Sequence, residues 1–339
     1  MATRYRRRHA CRRRCRLFAG VAAARASGAW QPSPVPRPQP GTNTLAAMPH
    51  RLLLDTSSLT YRAYFALPTS IKDPNGTPVN AVRGYLDMTA RLVTDLHPDQ
   101  VVHVFDDDWR PAPRVEAYAG YKSTRRDDPE DLPGQFDVLR TVLATLGQEC
   151  VIAQGWEADD AIGAICEHAA AGEAIDVVTG DRDLLQLVRD GDGSGGAVVR
   201  VLFTVRGVSD LARFDEAAVQ AKYGVPASRY IDFATLRGDP SDGLPGVKGV
   251  GEKTARALVN AYPDLHAMVG DASAHPPRLA GALRNSLAYL VAMQQVVPVR
   301  TDVAVQRSRG KRDDTRLDEL AEQHNLEGPI RRLREALDA

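Results

Sequence analysis

The chain has no run approaching 18 consecutive apolar residues, so no stretch of it reads as a membrane-spanning helix. Its 339 residues include only four cysteines, too few in the right places for the two ligand pairs a zinc site requires. Cys11 and Cys15 stand in an arginine run without a second ligand pair. Cys150 and Cys166 lie in apolar segments, where reduced, buried thiols are expected. That usage fits a reducing compartment, and the cytoplasm is the expected location. Net charge is also missing, with 43 Lys+Arg against 43 Asp+Glu. The balance hides an asymmetry, because residues 1–48 hold ten arginines and no acid, leaving 33 basic and 43 acidic side chains in the rest. An acidic body can still bind nucleic acid where metals cover the acids and basic residues cluster locally.

Residues 1–48 run from Arg-rich to Ala-rich to Pro-rich (Gln31 to Pro40) and contain little that could build a core, so disorder is expected. The arginine run is not followed by an apolar h-region, which argues against a secretory signal. Three readings stay open: a transit peptide, a basic nucleic-acid arm, or a segment upstream of a working start at Met48. The remainder is long enough for one large core, or for a core with a small second domain.

From Arg51 the pattern alternates strand and helix. Leu52 to Leu54, Val101 to Phe105, Glu149 to Ile152, Ile175 to Val178 and Val198 to Phe203 read as strands. Ser57 to Phe65, Asn80 to Leu96, Gln135 to Leu146 and a segment from Ala158 read as helices, and residues 190–196 as a loop. Alternation of this kind implies a mainly parallel sheet covered on both faces. Beyond Phe214 the chain turns helical, with segments at Glu216 to Tyr223, Ser228 to Leu236, Glu252 to Ala261, Pro277 to Gln295 and Asp318 to Leu337.

The informative residues are carboxylates. Asp55, Asp106 and Asp181 each follow a strand, and in an open parallel sheet the carboxyl ends of the strands share one edge, where ligands bind. Glu157, Asp159 and Asp160 open the helix after the third strand. Asp183, and Asp239 with Asp242 from the helical part, complete nine acids at five places in the chain. Taken singly, each reads equally well as a helix cap or a strand-end turn. Together on one edge they could not all stay ionised without cations, and hard oxygen donors favour Mg²⁺ or Mn²⁺, two or more of which can clamp a phosphodiester.

Two other segments belong beside them. Tyr118, Tyr121, Lys122, Arg125 and Arg126 interleave aromatic and basic residues as a single-strand groove would, although a solvated face reads as well. Gly246, Lys248, Gly249, Gly251 and Lys253 lie between two helices and could expose N–H groups to a phosphate. A dinucleotide loop is the competing reading there, weakened because no strand precedes these glycines.

These residues carry a resemblance. Leu54-Asp55 with Tyr61-Arg62-Ala63, Val104-Phe105-Asp106, Tyr121-Lys122, Glu157-Ala158-Asp159-Asp160, Thr179 to Asp183 and Gly238 to Val247 running on to Ala255 resemble, in order, the 5′ nuclease family. That family includes the nuclease domain of bacterial DNA polymerase I, its stand-alone relatives and the flap endonucleases. The resemblance implies an α/β, PIN-like, mainly parallel sheet flanked by helices, with a helical C-terminal part containing a helix-hairpin-helix that grips duplex DNA, often through K⁺. It further implies metal-dependent 5′-3′ exonuclease and flap endonuclease activity near 5′ ends, in DNA replication or repair. The nine acids would hold the metals, directly or through water. Lys122 and Arg62 would contact the scissile phosphate, and Tyr121 would stack on a base. Arg125, Arg126 and the hairpin residues would bind DNA.

Thr56 and Gly243 stand where the family often has glycine and asparagine, and Asp107 and Asp108 compete with Asp106 as the ligand. The segment from Tyr118 to Gln135 should form an arch over the site. The expected organisation is an extension at 1–48, a catalytic domain at 49–213, a DNA-binding helical part at 214–310 and a helical tail at 311–339, in a stand-alone monomer. The rival readings are a non-catalytic binder of branched DNA and a ribonuclease of the same fold.

Overall fold

Leu52, Leu53 and Leu54 are fully buried, as a strand covered on both faces requires. They form the middle of β1 (His50–Asp55), the central strand of the sheet in this computed structural model, which describes residues 48–125, 128–191 and 196–339. The disorder expected of residues 1–48 lies outside the described residues except at Met48, as does most of the 190–196 loop.

The chain continues through α1 (Thr56–Ala66), α2 (Asn80–Leu96), β2 (Gln100–Val104), α3 (Ala112–Ala117), α4 (Leu132–Thr145), β3 (Glu149–Ala153), α5 (Ala158–Glu167), β4 (Ala174–Thr179), β5 (Val198–Thr204) and β6 (Leu211–Phe214). The helical part holds α6 (Glu216–Tyr223), α7 (Tyr230–Arg237), α8 (Glu252–Ala261), α9 (Leu265–Gly270), α10 (Pro277–Asn285) and α11 (Leu287–Val296). The chain then returns through β7 (Val305–Arg309), α12 (Asp314–His324) and α13 (Glu327–Leu337).

The sheet order is β6-β5-β4-β1-β2-β3-β7, with the five central strands parallel and both edge strands antiparallel. The expected mainly parallel α/β sheet is therefore present. The pleat divides its apolar side chains between two cores. Leu53, Val102, Val104 and Val177 face α5 and the helical part. Leu52, Leu54, Val178 and Leu202 face α2, α4, α12 and α13. Strand order reverses between β1 and β4, the topological switch point at which such sheets place their ligands.

Two strands and two helix breaks depart from the sequence reading. β7 is Val-Gln-Arg-Ser-Arg, largely exposed and without apolar alternation, so its strand state comes from pairing with β3 rather than from its own pattern. It lies inside the 214–310 segment read as helical. β6 was likewise unread. The helix expected at Asp318 to Leu337 breaks at Asn325, which takes a left-handed conformation (φ 53°) and caps α12. The one expected at Pro277 to Gln295 breaks at Ser286, which ends α10 and starts α11.

Candidate metal centre

The order β4-β1-β2-β3 sets Asp181, Asp55, Asp106 and Glu157 side by side along the carboxyl edge, since Asp55 ends its strand, Asp106 and Asp181 stand just past theirs and Glu157 opens the helix after β3. Asp55 ends β1 and caps α1, accepting at Oδ1 from the Ser58 N–H (3.1 Å) and at Oδ2 from the Thr179 hydroxyl (2.7 Å). The same Thr179 oxygen accepts from the Asp181 N–H at 2.9 Å, and Asp181 Oδ1 accepts from the Asp183 N–H at 2.8 Å. Ser57 and Ser58 in the first turn of α1 accept from the N–H groups of Asp106 and Gly180 (3.1 Å each), tying the ends of β2 and β4 to it. Gly180 has to be small, because a Cβ there would press on the Ser58 hydroxyl at 2.9 Å.

The three consecutive acids after β2 separate cleanly. Asp107 accepts from the Gly155 N–H (2.7 Å) and Asp108 from the Arg110 N–H (2.9 Å), both holding loops. Asp106 accepts from the Ala158 N–H at the start of α5 (2.7 Å) and raises the pKa of Asp55 through its charge.

Electrostatics mark this edge as short of positive charge. Burial, then the Asp106 charge, push Asp55 up to about 7 despite its two hydrogen bonds. Burial raises Asp159 well above the carboxylate range, helped by Asp181, Asp55 and Glu157. Burial and the charges of Asp181, Asp242 and Asp239 do the same to Asp183. Burial also lifts Asp106 and Asp242, the latter only partly offset by Lys122. Asp159, Asp183 and Asp242 line one small recess together with Arg114 and Tyr121. Among the described residues no three acid, histidine or cysteine side chains form a ready-made metal cage. Protein donors hold most of these acids, and the free lone pairs are all carboxylate oxygens, which suits a hard divalent ion and excludes a thiolate or imidazole site.

Glu157 is the exception in charge. Burial would raise it, but Lys122 and Arg114 outweigh that and hold it below its ordinary value. Its Oε1 takes the Lys122 ammonium, and its Oε2 takes Arg114 and the Tyr121 hydroxyl (2.6 Å). Asp160 is fully buried and saturated: Arg114 donates to both oxygens (2.7 and 2.8 Å), the Arg300 N–H to Oδ1 (2.8 Å) and the Glu157 N–H to Oδ2 (3.3 Å). Each Asp160 oxygen thus accepts two hydrogen bonds, which hold the first turn of α5. Asp239 accepts from the Ser241 N–H and hydroxyl (2.8 and 2.5 Å), capping the turn that carries Asp242.

Lys122 has a left-handed backbone (φ 50°), uncommon for a side chain with a Cβ. Its N–H donates to the Asp242 carbonyl at 2.8 Å, docking residues 118–123 on the Asp239–Gly243 turn. A Cβ on Gly243 would collide with the Gly120 carbonyl oxygen, and Gly243 itself sits at φ 73°. Arg125 donates to Asp242 Oδ1 at 2.8 Å. Arg62 is half-buried at the end of β5, donating to the Thr204 carbonyl at 2.9 Å, beside Gly180.

The expectation for Tyr121 changes. Its ring is 4 % exposed and its hydroxyl serves Glu157, because a buried phenol needs a polar partner; it offers no open face for a base. Arg126 lies outside the described residues. Between α3 and α4 the described part of the expected arch contains turns only, pinned to α1 by Tyr61 to Asp128 and by the Tyr64 hydroxyl to Asp131 (2.7 Å).

The glycine-rich loop precedes α8, with Val247 and Val250 buried and Lys248, Gly249, Gly251 and Lys253 exposed. Gly246 has φ 68° and packs on the Arg237 carbonyl, where a side chain would not fit. Its N–H donates to the Tyr289 hydroxyl (3.2 Å), and the Tyr289 ring meets Tyr118 edge-on at 6.0 Å. The loop is thereby linked through α11 to the residues that carry Lys122. Sequence reasoning missed Ser57, Ser58 and Arg114 as supporting residues. Thr179 stood within a recognised motif without a role, and Arg114 was one arginine among several.

Comparison with known proteins agrees with this architecture. Residues 50–224 match the model of the N-terminal resolvase-like domain of 5′-3′ exonucleases, and residues 225–322 match that of their C-terminal SAM fold. A 5′-3′ exonuclease of Streptomyces coelicolor is 44% identical over 308 residues, 85% of this chain and 100% of the relative. DNA polymerase I of Mycobacterium tuberculosis is 40% identical over 76% of this chain and 28% of its own length. The solved bacteriophage T5 D15 flap endonuclease, in a complex with DNA and metal ions, shares the fold at a TM-score of 0.58 and 15% identity, covering 85% of this chain and 98% of that one. With both family models matched end to end across the sheet and the helical part, the chain belongs to the 5′-3′ exonuclease family.

Proposed function

We propose that the protein is a divalent-metal-dependent 5′-3′ exonuclease and flap endonuclease that hydrolyses DNA phosphodiesters near 5′ ends, in replication or repair. One observation carries this reading: seven carboxylates, from four strand ends and the Asp239–Asp242 turn, meet on one sheet edge with too few cations to balance them, beside a lysine held on a strained backbone. Asp55, Asp106, Asp159, Asp181, Asp183, Asp239 and Asp242 would hold Mg²⁺ or Mn²⁺, two or more ions, with Glu157 supporting them. When bound, such ions would supply polarisation of the phosphoryl oxygens and an activated water.

The chain's own groups do the rest. Lys122 is kept protonated by Glu157, and it stabilises the charge that develops on the scissile phosphate. Arg62 approaches the same phosphate from the end of β5. Asp160 fixes the first turn of α5. Arg125 and Arg126 contact the strand near the cut, and the exposed N–H groups and lysines of the 246–253 loop grip the phosphates of the duplex, where the loop would also hold K⁺. The protein works as a monomer on flapped or branched DNA in the cytoplasm, and among the described residues no helix is long and apolar enough to cross a membrane.

The experiment incubates purified protein with end-labelled 5′-flap DNA and with matched RNA, in Mg²⁺ and in chelator. Mg²⁺-dependent release of short 5′ products from DNA is expected. Binding of the flap without cleavage would replace this reading by a non-catalytic branch binder, and preferred cleavage of RNA by a ribonuclease.

A further inference from the structure

Arg114 lies in α3, with 4 % of its side chain exposed. Each of its five N–H donors has an acceptor. Nε donates to the Val296 carbonyl (3.1 Å), Nη1 to Glu157 and to Asp160 Oδ2 (2.8 Å), and Nη2 to Asp160 Oδ1 (2.7 Å) and the Pro298 carbonyl (3.2 Å). The guanidinium lies 5.9 Å from the ring centres of both Tyr121 and Trp156.

This group joins three parts of the molecule. α3 leads into the Lys122 segment, and α5 carries Glu157, Asp159 and Asp160. Residues 296–300 are the path by which the helical part rejoins the sheet. That path is sewn onto α5 and its neighbours at further points: the Arg300 N–H on Asp160, Gln186 on the Val299 N–H (2.8 Å), and Gly163, where a Cβ would strike Val299. Arg114's carboxylate partners, Glu157 and Asp160, bracket Asp159, which lies within reach of the charges of Asp181 and Asp55. A rotation of the first turn of α5 would therefore displace Asp159 and the Ala158 N–H that holds Asp106.

We propose that Arg114 is a positioning residue of the metal centre: it fixes the first turn of α5, and through it Glu157, Asp159 and Asp106, in register with residues 296–300, the segment returning from the helical part. The inference rests on the metal-dependent reading given under Proposed function. Stability alone does not call for it, since replacing a whole buried ion cluster by well-packed apolar side chains is often neutral or stabilising. Lysine cannot substitute, because it has three donors on a point charge and no planar fork.

The test uses full-length protein and the variants Arg114→Met, Arg114→Lys and Asp160→Asn. Mn²⁺ binding is read by electron paramagnetic resonance of the free ion, cleavage of a 5′-flap under single-turnover conditions at saturating DNA, flap affinity in Ca²⁺, and folding by near-UV circular dichroism. Arg114→Met and Asp160→Asn are expected to weaken Mn²⁺ binding and slow cleavage by about 10–100-fold, the range for removal of an outer partner of a metal ligand, with flap affinity in Ca²⁺ nearly unchanged. The double variant should be no worse than the more affected single, because both remove one interaction. Arg114→Lys should fold yet fail to restore the metal midpoint. Should Arg114→Met not fold, the isosteric Asp160→Asn decides alone. Wild-type Mn²⁺ binding and rate in a folded variant, or additive losses in the double, would overturn the inference. Failure of the wild-type protein to cleave in Mg²⁺ would instead sink the nuclease reading itself.

Discussion

The two ends of β4 treat their acids in opposite ways. Near its start, Asp176 is buried against Arg200, which donates to both oxygens (2.6 and 2.9 Å), and against His50 at 2.9 Å. Burial would raise its pKa, but these partners hold it below the carboxylate range. At the far end, Asp183, beyond Asp181, is driven well above that range, as are Asp55 and Asp159 beside it. The same strand thus carries one acid whose charge is settled within the fold and a group whose charge is not. Along β4, among the described residues, an arginine pairs with Asp176 and none with Asp181 or Asp183. Acids left unbalanced along the carboxyl edge cost stability, and a cation that binds there recovers it.

The comparison is sharpened most by removing one acid from each end. Asp181→Ala should reduce flap cleavage to background in single-turnover assays while flap binding persists; wild-type rates would take Asp181 out of the site. Asp176→Asn should cost about 3–5 kcal/mol in urea unfolding, because it leaves Arg200 buried without its partner, and it should spare the cleavage rate of folded molecules. A loss confined to activity would erase the contrast.

Asp55→Asn should act the other way on the metal-free protein, raising stability at pH 8 by about 1–2 kcal/mol while abolishing cleavage. The pH dependence follows from the two directions. The folded protein holds a proton on Asp55 up to about pH 7, whereas the unfolded chain releases it near 3.8, so this group makes metal-free stability rise as pH falls from about 8 towards 4. Asp176, whose folded pKa is depressed, contributes stability above its unfolded value that is lost as pH falls through the lower folded one. Urea melts across pH should show a rise and then a fall on acidification, and Mg²⁺ should flatten the rise. A monotonic loss from pH 8 downward would contradict the unbalanced edge. The smallest effect is expected at the hairpin: Lys248→Ala and Lys253→Ala should each lower the salt dependence of duplex binding by about one unit of slope, with cleavage at saturating DNA retained.

Much of this was legible in the sequence because β1 to β4 are apolar runs that end in an acid or lead towards one, and parallel topology alone brings such ends together. Asp55, Asp106 and Asp181 needed no side-chain geometry to be placed. What could not be read depended on partners distant in sequence. Asp160 and Asp159 are neighbours of identical chemistry, and only the buried guanidinium of Arg114, 46 residues away, separates the anchor from the candidate ligand. Tyr121 looked like a stacking surface because alternation of aromatic and basic residues does not reveal burial. β7 owes its state to β3 and leaves no periodic trace.

β6 and β7, which bound the helical part, are the opposite edges of the seven-stranded sheet. Six strand spacings separate them, roughly 29 Å at about 4.8 Å each. The intervening helices are consequently anchored at both ends, like a bridge deck between two piers, rather than hung from one linker. In the proposed reading, a segment fixed in this way lets the sheet set the angle at which a bound duplex would meet the carboxylates, and an insertion at either pier should misalign the two together.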